Sequence, residues 1–141
     1  LKWMKIKILH EYQTKYQNKK METIEKTLPA IKTEITFDEY MKLDIRLCLI
    51  TSVEKIEGKD KLYKFEINTG VDKRVVVSAI AHQISADKLK WRTIPFVLNL
   101  VPRKIAGIES QGMIVMAEGL DGNYIQLESS VGANGLGANV I

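Results

Sequence analysis

A mainly β fold follows from three features of this 141-residue sequence. Apolar residues alternate with polar ones from Ile45 onward, turn residues interrupt that alternation at short intervals, and only one segment between the strands has room for a helix. The composition, 45% hydrophobic and 27% charged, is that of an ordinary globular chain, and the length suits one domain plus an appendage.

The first segment has the helical period. Trp3, Ile6, Leu9, Tyr12 and Tyr16 recur at three- and four-residue steps among Lys and Gln, which predicts a helix with one apolar stripe. A polar break at residues 17–20 precedes a second stripe of Met21, Ile24 and Leu28, which Pro29 should end because it bars its predecessor from helical geometry. Residues 1–34 therefore read as a basic amphipathic helical extension or linker, and residues 35–141 as the domain. The start at Leu1 leaves a trimmed product, a piece of a longer polypeptide, or a true start at Met4 or Met21 open.

Thr36-Phe37-Asp38-Glu39 is a capping-box pattern and predicts a helix of one or two turns. Ile45, Leu47, Leu49, Thr51 and Val53 then alternate with Arg46, Cys48, Ile50, Ser52 and Glu54 as a first strand. Tyr63, Phe65, Ile67 and Thr69 mark a second, joined through a turn at Gly70 to a third over 73–80, so this pair is expected to be a hairpin. Residues 82–91 are helix-compatible. A fourth strand is expected over 94–101, a fifth over 112–118, and a turn at 120–123 leads into a further extended run at 124–128. Five short strands with a small helix between the third and fourth match the OB-fold, a partly open five-stranded Greek-key barrel. Here it carries an N-terminal helical extension and C-terminal strands.

Charge and cysteine content narrow the function. Residues 1–34 hold eight Lys and four acids, while 35–141 hold thirteen Lys or Arg and thirteen acids, so the formal +4 belongs to the N-terminal quarter. Such an appendage suits an RNA-associated or membrane-surface segment, although a solvated Lys-rich helix has the same arithmetic. No apolar run approaches the roughly 18 residues of a membrane span, and no signal-peptide pattern is present. Cys48 is the single cysteine, which excludes an intramolecular disulfide and multi-cysteine metal sites and fits a reducing, cytoplasmic setting.

The supply of catalytic groups is thin. His10 and His82 have no metal-ligand spacing, Cys48 alternates with apolar neighbours in a strand, and neither a catalytic residue, a metal site nor a cofactor is expected. The glycines at 132, 135 and 137 lack the strand, helix and further chain that a phosphate loop needs, and they read as turns leading into a final short strand. The segment 99–112, NLVPRKIAGIESQG, is different: it concentrates Asn99, Arg103, Lys104, Glu109, Ser110 and Gln111 on what reads as one connecting loop. Arg and Lys suit phosphate oxygens, and Asn, Ser and Gln suit ribose hydroxyls or base edges.

At this loop the sequence resembles the tRNA-binding domain shared by the C-terminal extension of methionyl-tRNA synthetases, free-standing structure-specific tRNA-binding proteins and the eukaryotic synthetase cofactors. The resemblance covers about residues 35–141 through LDIR at 43–46, DKLY at 60–63, VVS at 76–78 and NLVPRKIAGIESQGMI at 99–114. It implies an OB-fold that binds the outside corner of tRNA by shape, often as a homodimer. It also implies RNA contacts at Asn99, Arg103, Lys104, Ser110, Gln111 and Met113, with Arg74 and Ser78 on a neighbouring strand; Met113 reads equally as a core residue. Cys48 and Ala79 stand where the family commonly has Gly, and Ile56-Glu57 where it has His-Pro, so a reshaped loop is expected before Asp60, within a Lys-rich segment 55–64.

The function expected is that of a non-catalytic tRNA-binding module, a beta subunit or trans-acting aid of methionyl-tRNA synthetase. An export-related, peptide-binding chaperone of the same fold is the alternative. A general single-strand binder would need several exposed stacking aromatics on strands two and three, where Tyr63 alone is a candidate. The apolar residues after Glu118 exceed what one small barrel covers, which predicts a homodimer built on the C-terminal strands.

Overall fold

The computed structural model describes residues 1–24 and 29–141. The chain divides into two compact units, Leu1–Thr33 and Glu34–Ile141.

In the first unit, helix α1 runs from Lys2 to Ile24. It passes through residues 17–20 without the break expected there, because Gln, Asn and Lys are adequate helix formers and the segment holds neither Gly nor Pro. Leu28 lies outside the described residues. The apolar side chains do not collect in one stripe. Three-residue steps fall short of a full turn by about 60° each, so Trp3 and Tyr12 end on opposite sides of the helix. All of Trp3, Ile6, Leu9, Tyr12 and Tyr16 are exposed.

The second unit opens with α2, Phe37–Met41, whose capping box forms in both directions: Glu39 N–H donates to Thr36 Oγ1 at 3.1 Å and Thr36 N–H to Glu39 Oε2 at 2.7 Å. Strands β1 (Ile45–Ile56), β2 (Lys59–Asn68), β3 (Lys73–Ser78), β4 (Thr93–Val97) and β7 (Met113–Ile114) form one antiparallel sheet in the order β3-β2-β1-β4-β7. Two-stranded ladders join β5 (Arg103–Ile105) to β6 (Ile108–Ser110) and β8 (Met116–Glu118) to β9 (Tyr124–Gln126). The expected β2–β3 hairpin is present, and Tyr63, Phe65, Ile67 and Thr69 are buried along it as the alternation predicts.

In β1 the fully buried side chains are Cys48 and Ile50, on the opposite phase from Leu47 and Leu49. A bulge between Ile50 and Ser52 then shifts the phase, so that Val53, opposite Phe65, packs on the core. The C-terminal tail pairs along β1 ahead of the β2 ladder, where Leu47 accepts from Gly137 N at 2.8 Å and donates to Ala138 O at 3.0 Å. The tail lies close because Gly70 and Gly137 meet backbone to backbone; a Cβ on Gly70 would stand 3.0 Å from Gly137 Cα. The terminal glycines thus serve as turns before a short bridge, Arg46 to Asn139.

Five expectations for this unit need correction. The Lys-rich segment 55–64 is ladder rather than loop: β1 and β2 meet at a two-residue turn, Glu57-Gly58, with Glu54 directly opposite Lys64. Residues 82–91 form one 3₁₀ turn, Ala86–Lys88, because Ile84 and Leu89 are both drawn into the core at a five-residue interval that no helix face provides, and Tyr63 donates its hydroxyl to Ile84 O at 2.9 Å. The fourth strand stops at Val97, and the expected connecting loop at 99–112 contains the β5–β6 hairpin. Ala106 and Gly107, both at positive φ (52° and 77°), make its mirror-image turn, and Ile105 faces Ile108 across it. The fifth strand is broken at Val115, whose N–H donates to Pro95 O at 2.9 Å, so β7 continues the barrel sheet and β8 turns to pair with β9.

Candidate nucleic-acid interface

The eight residues singled out from the sequence separate into two kinds. Ser110 and Gln111 lie where β3, one edge of the main sheet, faces the β6–β7 segment. Ser110 Oγ accepts from Val77 N at 3.0 Å and lies within 3.2 Å of Gly112 O, to which its hydroxyl donates. Gln111 accepts from Val75 N through Oε1 at 3.1 Å while its own N–H donates to Val75 O at 2.8 Å. These bonds join the two edges of the five-stranded sheet, so side chains complete the barrel where the ladder does not. Asn99 clasps α2 to the barrel: its Oδ1 accepts from Asp44 N at 2.8 Å and its Nδ2 donates to Lys42 O.

Arg74 belongs partly to the same seam. Its Nε donates to both Asp72 oxygens at 3.1 Å, and one terminal nitrogen reaches Leu98 O at 2.6 Å and Gln111 O at 3.4 Å. The guanidinium, and then the Thr69 hydroxyl, hold the Asp72 carboxyl below the usual carboxylate range. The second terminal nitrogen of Arg74 has no partner among the described residues, and Arg74 lines an open groove with Thr51, Glu66, Lys73 and Gln111. Lys73 is a cation that sequence reasoning left out; its adjacency to Arg74 on one strand was the available signal.

Arg103 and Lys104 are exposed on the β5 strand of the hairpin, opposite Ser110 and Glu109 respectively, and neither side chain has a hydrogen bond or ion pair among the described residues. Ser78 ends β3 opposite Tyr63, and Met113 begins β7 with half its surface exposed. The fold brings these two together on a second open groove, with Ile80, Met116 and Tyr124 among its walls. The described residues thus offer cationic side chains without partners on the β5–β6 hairpin, a hydroxyl and a thioether on one groove, and on another a guanidinium oriented by Asp72 and by the carbonyls of Leu98 and Gln111. Such a set suits phosphate and sugar oxygens more than a compact metabolite.

The family model described as a putative tRNA binding domain matches residues 45–133. The chain belongs to this tRNA-binding domain family. A methionine–tRNA ligase of Parabacteroides distasonis is 44% identical over 92 residues, 65% of this chain and 14% of that relative, and one of Cytophaga hutchinsonii is 39% identical over 108 residues, 75% of this chain and 16% of the relative. The chain therefore spans about a seventh of the length of these curated relatives, and what it shares with them is the tRNA-binding domain. Among solved structures, a MetRS-related protein from Pyrococcus horikoshii superimposes with a TM-score of 0.74 at 34% identity, covering 78% of this chain and all of that one. The CsaA chaperone protein of Picrophilus torridus does so at 0.67 and 26%, over 77% of this chain and all of that one. The barrel-like β fold expected for the family is thus the fold of this chain, and the match spans β1 through the turn at Gly132.

Among the described residues no helix is long and apolar enough to cross a membrane.

Proposed function

We propose that this chain is a non-catalytic tRNA-binding module acting beside methionyl-tRNA synthetase, as a beta subunit or a trans-acting aid, in the cytoplasm. The observation that carries this reading is the β5–β6 hairpin inside the family match, which presents Arg103 and Lys104 to solvent without partners. Phosphate contacts of that kind hold a folded RNA by its shape, because A-form helices hide their base edges in a deep groove. The RNA surface proposed comprises Arg103, Lys104, Ser78 and Met113 directly, with the outward nitrogen of Arg74 beside them. Asn99, Ser110 and Gln111 hold the hairpin and its flanks in place, and reach RNA through whatever hydrogen-bonding capacity their structural bonds leave. A mobility-shift assay with unfractionated tRNA against single-stranded DNA at two salt concentrations tests the reading. Preference for tRNA and steep salt dependence are expected; equal binding of both, or none, overturns it.

A homodimer is part of the proposal. Ile125, Leu127, Val131, Val140 and Ile141 remain exposed in the single chain, and the C-terminal segments bearing them are the surface offered to a second copy. A monomer by light scattering at micromolar concentration removes this part.

The likeness to CsaA chaperone proteins keeps a second reading, an export-related peptide-binding chaperone, in view. Saturable binding of an unfolded, apolar polypeptide that tRNA does not displace would favour it.

A further inference from the structure

Trp91 stands where the backbone asks for glycine. Main-chain bonds from Trp91 N to Ile50 O (2.8 Å) and from Ile50 N to Arg92 O (3.0 Å) set two residues against one immediately before β4. That is the β-bulge whose first residue is left-handed and normally Gly, and Trp91 adopts it with φ at 65°. A bulky residue in this region is strained, and the strain is not offset by burial, because Trp91 is 64% exposed. Lys90 places Nζ 5.5 Å from the indole centroid, over the ring, and most of the residue's surface remains in water. Lys88 and Arg92 are exposed on the same short segment, with Arg92 3.6 Å from Glu128.

An exposed indole held by a pinned backbone, with Lys90 over its ring and further cations on the same segment, has the properties of a stacking platform for nucleic acid. Strained residues persist where the surrounding structure over-determines them, and bulges re-aim side chains beside functional sites. Trp91 precedes β4 by two residues, and the chain leading to Arg103 leaves from that strand's far end at Val97, roughly 20 Å away at most if fully extended.

We infer that Trp91, flanked by Lys88, Lys90 and Arg92, is a second RNA contact on which an unstacked nucleobase of the bound RNA lies. The inference rests on the tRNA-binding reading and extends it to a surface outside the 99–112 segment. Base stacking supplies affinity without sequence preference, which suits a domain that grips RNA by shape.

Two properties of the site pull in opposite directions and make the test decisive. Trp91→Gly removes both the indole and the backbone strain, so it raises the melting temperature by a few degrees while weakening binding of unfractionated tRNA between about fivefold and a hundredfold. Trp91→Phe keeps most of the affinity. In a Trp3→Phe background Trp91 is the sole tryptophan, and its fluorescence is quenched saturably as tRNA is added. A less stable Trp91→Gly chain, or unchanged affinity with no quenching, overturns the inference. So does quenching that depends on protein concentration without RNA, which assigns the indole to a second copy. If replacing Arg103 and Lys104 weakens binding and Trp91→Gly does not, the tRNA reading stands and this site falls; if the intact chain binds no tRNA, both fall.

Discussion

Gln111 and Val75 exchange two hydrogen bonds, one from main chain to main chain and one from the Val75 N–H to the Gln111 side chain. The glutamine amide takes the place of a missing strand at the edge of β3, and Ser110 does the same for the buried Val77 N–H two residues on. Residues of the candidate binding segment thereby become part of the barrel wall. Ser110→Ala orphans a buried donor and is expected to cost about 1–3 kcal/mol of unfolding free energy; Gln111→Ala, at a half-buried partner, costs less. Urea unfolding of the two variants measures this, and stability equal to the parent's would refute the seam.

Arg103→Ala and Lys104→Ala behave differently. Each is exposed and unpaired, so melting temperature stays within a degree or two while tRNA affinity falls alike for all acceptors. Each should also reduce the salt slope of log K by about one. A loss confined to one tRNA species would contradict recognition by shape.

The tip of the same hairpin stores strain at Ala106, which occupies a left-handed position with a Cβ. Ala106→Asn creates the Asn-Gly pair that this turn favours and is expected to stabilise the domain by about 0.5–1 kcal/mol, with tRNA affinity unchanged. Thermal unfolding beside a binding titration checks both halves.

Burial pushes the Cys48 thiol up to about 12, the nearby Arg74 and Arg46 guanidiniums only partly opposing it. A thiol whose folded pKa lies above its unfolded value stabilises the fold fully below the unfolded value, near 9, and this contribution is lost as pH rises from there toward 12. Alkylation by iodoacetamide at pH 8 should accordingly follow the rate or extent of unfolding, and rapid labelling of the native chain would show the site to be open.

The local features of this chain were legible without the structure. Alternation depends on neighbours two residues apart, so the buried series Tyr63, Phe65, Ile67 and Thr69 and the β2–β3 hairpin could be read directly, as could the capping box of Thr36 and Glu39. The motif at 99–112 was legible as part of the family segment for a different reason, its specific run of residue types. What that run could not state is which of its polar groups are consumed by the fold. Asn99 bonds to a residue 55 positions away, Gln111 to one 36 away and Ser110 to one 33 away, and no local pattern records those distances. The same limit hid Trp91. Its left-handed backbone is imposed by pairing two residues against Ile50, a relation between β1 and the approach to β4 that exists only once the sheet has assembled. Sequence by itself determined strands β1 to β3 and the family segment, because those signals are local or carried by residue identity; tertiary structure alone decided that 99–112 folds into a hairpin, that the fifth strand splits at Val115 and which side chains close the barrel, because a hydrogen bond across the sheet is satisfied by position in space.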